Sequence, residues 1–126
     1  MPVPRISKDE LKRRLDDVEG ARPLLIDVRL KYPYEHSTIT LPGAIRMGPD
    51  RSDVQSSSLP ADRDLVLYDS DPEELVAERA AAALIRDGYR AFALQGGISA
   101  WAVARFPVDR KPAPQLAFTV SGTTKG

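Results

Sequence analysis

The sequence contains no cysteine among its 126 residues. That absence excludes disulfide staples, zinc–thiolate sites and thiol catalysis together. Histidine occurs once, as His36, too few for an imidazole metal site or a His-paired relay. Long apolar runs are also lacking, so nothing reads as a bilayer-spanning segment. Met1-Pro2-Val3-Pro4-Arg5 has no apolar stretch of the signal-peptide kind, and a cytoplasmic domain is the expectation. Neither charge sign is in excess, since 18 basic and 18 acidic side chains cancel. An even balance gives no electrostatic footprint for nucleic acid or for an anionic membrane surface.

What is present reads as one α/β domain. Ser7-Lys8-Asp9-Glu10 forms a capping box, with Ser7 accepting from the Glu10 amide and Glu10 reaching back. Leu11 and Leu15 supply the apolar stripe of that helix, and Gly20 closes it. Leu24-Leu25-Ile26 ends at Asp27 and suits a buried parallel strand. The stretch from Lys31 to Leu41 has no clear period and reads mostly as loop, Pro42-Gly43 as a turn, and Ala44-Ile45 as a short strand. Gly48 to Ala61, rich in Ser, Asp and Pro, reads as an exposed connection.

Leu65-Val66-Leu67-Tyr68 is the clearest strand, with Asp69 at its C-terminal end. A helix follows over Leu75 to Asp87, with Leu75, Val76, Ala80, Ala83 and Leu84 inward and Gly88 at C′. Ala91 to Leu94 is a further strand, Gly96-Gly97 a turn, and Ser99 to Arg105 a short helix carrying Trp101. Strand and helix alternate, which implies a mostly parallel sheet flanked by helices. A domain over residues 5–110 and a flexible tail over 111–126 are expected, the latter from its Pro-, Thr- and Gly-rich composition.

Three segments together resemble the rhodanese-like (sulfurtransferase) family. Leu25-Ile26-Asp27-Val28-Arg29 resembles its "DVR" strand end, and Leu41-Pro42-Gly43-Ala44 its "IPGA" turn. Leu94-Gln95-Gly96-Gly97-Ile98-Ser99-Ala100-Trp101 resembles its "L-x-GG-x-x-AW" element. The resemblance implies a five-stranded parallel sheet. It also implies an active loop between a strand end and a helix N-terminus, where amides and the helix dipole stabilise an anionic sulfur.

Here the sequence departs from the family. The nucleophilic Cys position holds Asp69, in the run Tyr68-Asp69-Ser70-Asp71-Pro72-Glu73-Glu74. Thr40 and Leu41 stand where the family has His before its turn, and no Arg or Lys remains in the loop. A carboxylate is a hard, weak nucleophile toward sulfane sulfur and cannot carry a persulfide. Asp69, Asp71, Glu73 and Glu74 would also repel a thiosulfate or phosphate dianion, by on the order of a few kcal/mol at an effective dielectric near 20.

Two kinds of role remain for these residues. Asp71-Pro72-Glu73-Glu74 reads as a helix start, with Asp71 as N-cap, Pro72 at N1 and Glu74 closing a capping box at N3. Asp69 does not cap the helix in that register, and its carboxylate would instead fill the anion cradle. The expected function is a catalytically inactive interaction or regulatory module, with a protein partner of unspecified identity and no cofactor. The alternative is a magnesium-dependent aspartyl phosphatase, or a divalent-cation site, using Asp69 and Asp71. Asp-x-Asp after an apolar strand resembles the haloacid-dehalogenase-like pattern, but Glu73 stands where that family wants a small Thr or Val. Asp27 and Arg29 are expected in structural hydrogen bonds, His36 on the surface, and Trp101 packed on the sheet.

Overall fold

A computed structural model describes residues 3–49, 59–70 and 74–111. Strands β1 (Arg5–Ile6), β2 (Leu24–Asp27), β4 (Ile45–Arg46), β5 (Asp64–Tyr68) and β6 (Arg90–Leu94) form one sheet. Its order is β1-β6-β5-β2-β4. Every pairing in it is parallel, including Ile26 with Leu67 and Leu67 with Ala93. A second, antiparallel pair joins β3 (Ile39–Thr40) to β7 (Asp109–Arg110).

Side chains alternate across β5 and feed two cores. Leu65 and Leu67 pack with Ile26, Ala93 and the inner face of α3 (Leu75–Arg86), which contributes Ala77, Ala80, Ala81 and Leu84. Val66 and Tyr68 face the other way, toward Leu11 of α1 (Lys8–Asp16) and Ile98 and Trp101 of α4 (Gly97–Val103). Burial on both faces is why these strands read as continuous apolar runs. The small alanines of α3 let its axis approach the sheet closely. Leu75, expected inward, is instead half exposed, because the helix begins at that residue and turns Ala77 and Ala81 to the core.

Local signals account for both ends of α1 and the far end of α3. Ser7 Oγ accepts the Glu10 amide at 3.1 Å, as the capping box requires. Glu10 does not reach back; its carboxylate pairs with Arg13 on the same face. α1 also stops before Gly20, because Asp17 leaves the helical region and accepts the Glu19 and Gly20 amides. At the far end of α3, Gly88 donates to Ile85 and Tyr89 to Leu84, the paired bonds of a Schellman cap.

The segment read as loop contains α2 (Lys31–His36). Pro33 falls in its first turn, where a missing N–H breaks no helical bond. The connection after β4 is less exposed than expected where it is described: Met47, Gly48 and Leu59 are buried.

Candidate functional site

β5 delivers Asp69 to the C-terminal edge of the sheet, between the start of α3 and the start of α4. The residue is 1 % exposed. Its Oδ2 accepts the Ala77 amide at 2.7 Å. Ala77 is the third residue of α3, so Asp69 satisfies one of the amides a helix start leaves open. The helix dipole favours the negative charge there.

This corrects the expected register of the helix. Glu74 was expected at N3, but it is the N-cap, with a left-handed φ of 64° and its carbonyl accepting from Glu78. Left-handed backbone is strained for a glutamate. The strain is held by side-chain bonds: Oε2 accepts the Gly96 amide at 2.9 Å and Oε1 pairs with Arg5 Nε at 2.8 Å. Asp71, Pro72 and Glu73, the remaining loop residues singled out in the sequence, lie outside the described residues. Ser70 is half buried beside Asp69.

α4 closes the other side. The Ile98 amide donates to the Asp69 carbonyl at 3.0 Å. Gly97, with φ 58°, lets this happen, since a Cβ there would lie 2.3 Å from the Asp69 carbonyl oxygen. The Gly-Gly pair is therefore a close-approach device rather than a phosphate cradle.

Next to Asp69 on the sheet edge lies a buried polar cluster. Asp27 accepts from Arg29 Nε at 3.0 Å and Nη2 at 2.6 Å, and both residues are almost fully buried. The Tyr68 hydroxyl donates to Asp27 at 3.0 Å and accepts the Leu41 amide at 3.2 Å. Arg29 also donates to the Ile39 carbonyl, and Arg46 to the Arg29 carbonyl. Burial, then the Asp27 charge, pushes the Tyr68 phenol well above its ordinary range, so it stays protonated. This cluster ties β2, β4 and β5 to the turn at Leu41, in line with the structural role expected of Asp27 and Arg29.

Sequence reasoning did not single out Tyr68 or Arg5. Tyr68 could have been found from its place as the last, polar-tipped residue of a fully buried strand. Arg5 carries no local signal, because its partners Glu74 and Glu78 are far along the chain. His36 is exposed, and Trp101 is fully buried with its indole N–H on the Pro107 carbonyl.

Chemically, the site offers a buried carboxylate already engaged by a helix amide. Such a group lacks the approach an in-line nucleophile needs. Among the described residues, no three acidic or histidine side chains converge to hold a metal ion.

The rhodanese-like domain model matches residues 7–104. A sulfurtransferase of Allochromatium vinosum is 34% identical over 107 residues, covering 84% of this chain and 94% of that protein. The solution structure of a rhodanese-like domain from Anabaena sp. superposes with a TM-score of 0.70 at 28% identity, covering 93% of this chain and 90% of that one. A full-length protein from Lactobacillus plantarum reaches a TM-score of 0.75 at 22% identity, covering 84% and 87% of the two chains, and shares the fold. Because that family model spans residues 7–104, most of the chain, this cysteine-free chain belongs to the rhodanese-like family.

Proposed function

We propose that this domain has left sulfur transfer and acts as a cytoplasmic protein-interaction or regulatory module. The observation that carries the reading is Asp69: in a chain without cysteine, a buried carboxylate stands after β5 and bonds the α3 amide. A group that cannot form a persulfide, held where an anionic sulfur would need the helix start, leaves no route for sulfane sulfur.

A docking role draws support from the same edge of the sheet. Leu30 follows β2 and Leu75 follows Asp69's loop, and these are 51% and 49% exposed. Tyr32, the second residue of α2, is 66% exposed. Large exposed apolar side chains at one end of a domain suit a partner surface better than a solvated one.

The test has two arms. Thiosulfate and cyanide should give no thiocyanate above blank; product proportional to protein, and surviving repurification, would overturn the inactive reading. A photo-crosslinking residue at Tyr32 should trap one discrete adduct in cells that Leu30→Glu and Leu75→Glu abolish. The same residue at Val18, more exposed still but on the far loop, should trap none; equal labelling from both would remove the docking reading.

A further inference from the structure

At the opposite edge of the sheet, away from Asp69, lies a cavity of about 360 Å³. That falls within the roughly 300–1,000 Å³ of small-molecule sites. Its walls are the start of β2 (Leu24, Leu25), the outer turn of α1 (Leu15), the Pro42-Gly43 turn, and Trp101 and Pro107. None of these groups takes part in the Asp69 site, which is built at the C-terminal ends of the strands.

The rim differs from the walls. Lys12, Arg22 and Arg63 stand around it with Asp16 as the one acid. Asp16 is already paired with Lys12. Arg63 donates its Nε to the Arg22 carbonyl at 2.8 Å, which brings both arginine side chains to the same lip. Among the described residues, neither guanidinium has an ion pair. Two exposed guanidinium groups without an ion pair leave this lip net positive.

We infer that this cavity is a binding site for a small amphipathic carboxylate, with its apolar body against the partly exposed Leu15, Leu24 and Pro107 and its carboxylate at the lip formed by Arg22 and Arg63. Guanidinium forks suit a planar carboxylate in a bidentate mode. Trp101 is fully buried beneath the cavity with its indole N–H committed to the Pro107 carbonyl, so it offers the ligand no donor. The site therefore selects for an anion at the mouth and for hydrocarbon within.

The probe is 4-phenylbutyrate, with 4-phenylbutanamide as its neutral isostere. Trp101 is the sole tryptophan and lies beneath the cavity, so its emission reports changes there, and backbone amide shifts locate the ligand. The acid should bind saturably with a dissociation constant of roughly 1 mM or tighter, as befits a ligand of that size. The amide should bind at least about five-fold more weakly, the effect expected of a lost charge-assisted pair. Arg22→Ala with Arg63→Ala should bring the acid down to the amide's affinity and leave the amide unchanged. Raising salt should weaken the acid alone. No saturation of either probe would overturn the assignment. So would equal binding of acid and amide, or shifts centred on Asp69 and Gly96 rather than Leu15, Leu25 and Trp101. Should the double variant misfold, the acid–amide ratio and its salt dependence in the unaltered protein decide the matter.

Discussion

The Asp69 carboxylate and the Ala77 amide are 2.7 Å apart, and that single bond joins the end of β5 to the third residue of α3. Its partner groups are both buried, so neither can turn to water if the other is lost. Asp69→Ala should destabilise the domain by about 1–3 kcal/mol, the cost of a buried donor left without an acceptor. Asp69→Asn keeps an oxygen for the amide and should lose less than half as much. Urea midpoints at equal slope measure both. An alanine variant as stable as the parent would mean that the carboxylate does not hold the helix start.

Gly97 offers a sharper geometric test. A Cβ there would stand 2.3 Å from the Asp69 carbonyl oxygen, whereas at Gly43, also at positive φ, nothing lies within 4 Å. Both alanine variants incur the left-handed backbone penalty of about 1–2 kcal/mol. Only Gly97→Ala adds a clash with main chain, and it should cost at least about 2 kcal/mol more than Gly43→Ala. Chemical denaturation of the pair checks this, and equal losses would show that α4 does not need its close approach.

The same two regions show what the sequence makes legible. The Ser7 cap, the strands around Leu25 and Leu67 and the Gly88 helix end are local or periodic, and their physics is written within a few residues. The start of α3 is not. Asp71-Pro72-Glu73-Glu74 offers a good local capping box, yet Glu74 turns left-handed because its carboxylate meets Gly96 and Arg5, both remote in sequence. Tertiary partners decide between two locally acceptable registers. α2 escaped for the opposite reason: six residues with a proline and no side-chain cap give no period to read. The β3–β7 pair, with its polar Asp109-Arg110 strand, depends wholly on a partner some seventy residues away. For the candidate site, Asp69's position was legible from the strand end, and its bond to Ala77 was not.

Tyr68 should make the domain sensitive to alkali. Its native phenol is pushed above the ordinary range, while in the unfolded chain it ionises near pH 10. Above that pH the unfolded state has lost a proton that the native state retains, so stability falls as pH rises, by up to about 1.4 kcal/mol per unit. Below pH 10 the term is absent. Tyr68→Phe should cost about 1–3 kcal/mol near neutrality, because Asp27 and the Leu41 amide lose a buried partner. The gap between parent and variant should then narrow above pH 10. A gap that stays constant across that range would show that the phenol ionises freely in the folded protein.

The last test asks whether the anion-stabilising features that Asp69 occupies would act on sulfur. The Ala77 amide is a backbone group and α3 is also held by its buried face of Ala77, Ala80, Ala81 and Leu84, so the helix start should persist, at lower stability, when the carboxylate is replaced. Asp69→Cys then places a thiol beside a helix amide, and such surroundings lower a thiol's pKa below the free value of about 8.5. Two carboxylates oppose this. Asp71 follows closely in sequence, and Glu74 stands at the helix start, with its charge already met by Arg5 and Gly96. The comparison is therefore Asp69→Cys alone and with Asp71→Ser, read by thiolate absorbance across pH and by alkylation rate. The double variant should titrate below about 8.5, and the single variant above the double, since a neighbouring negative charge disfavours the thiolate. Glu74 stays in both, so the difference between them belongs to Asp71 alone. If both thiols titrated at or above the free value, the strand end would not be an anion site. Asp69 would then be a helix cap with no chemical tie to the sulfur-binding loops of its family.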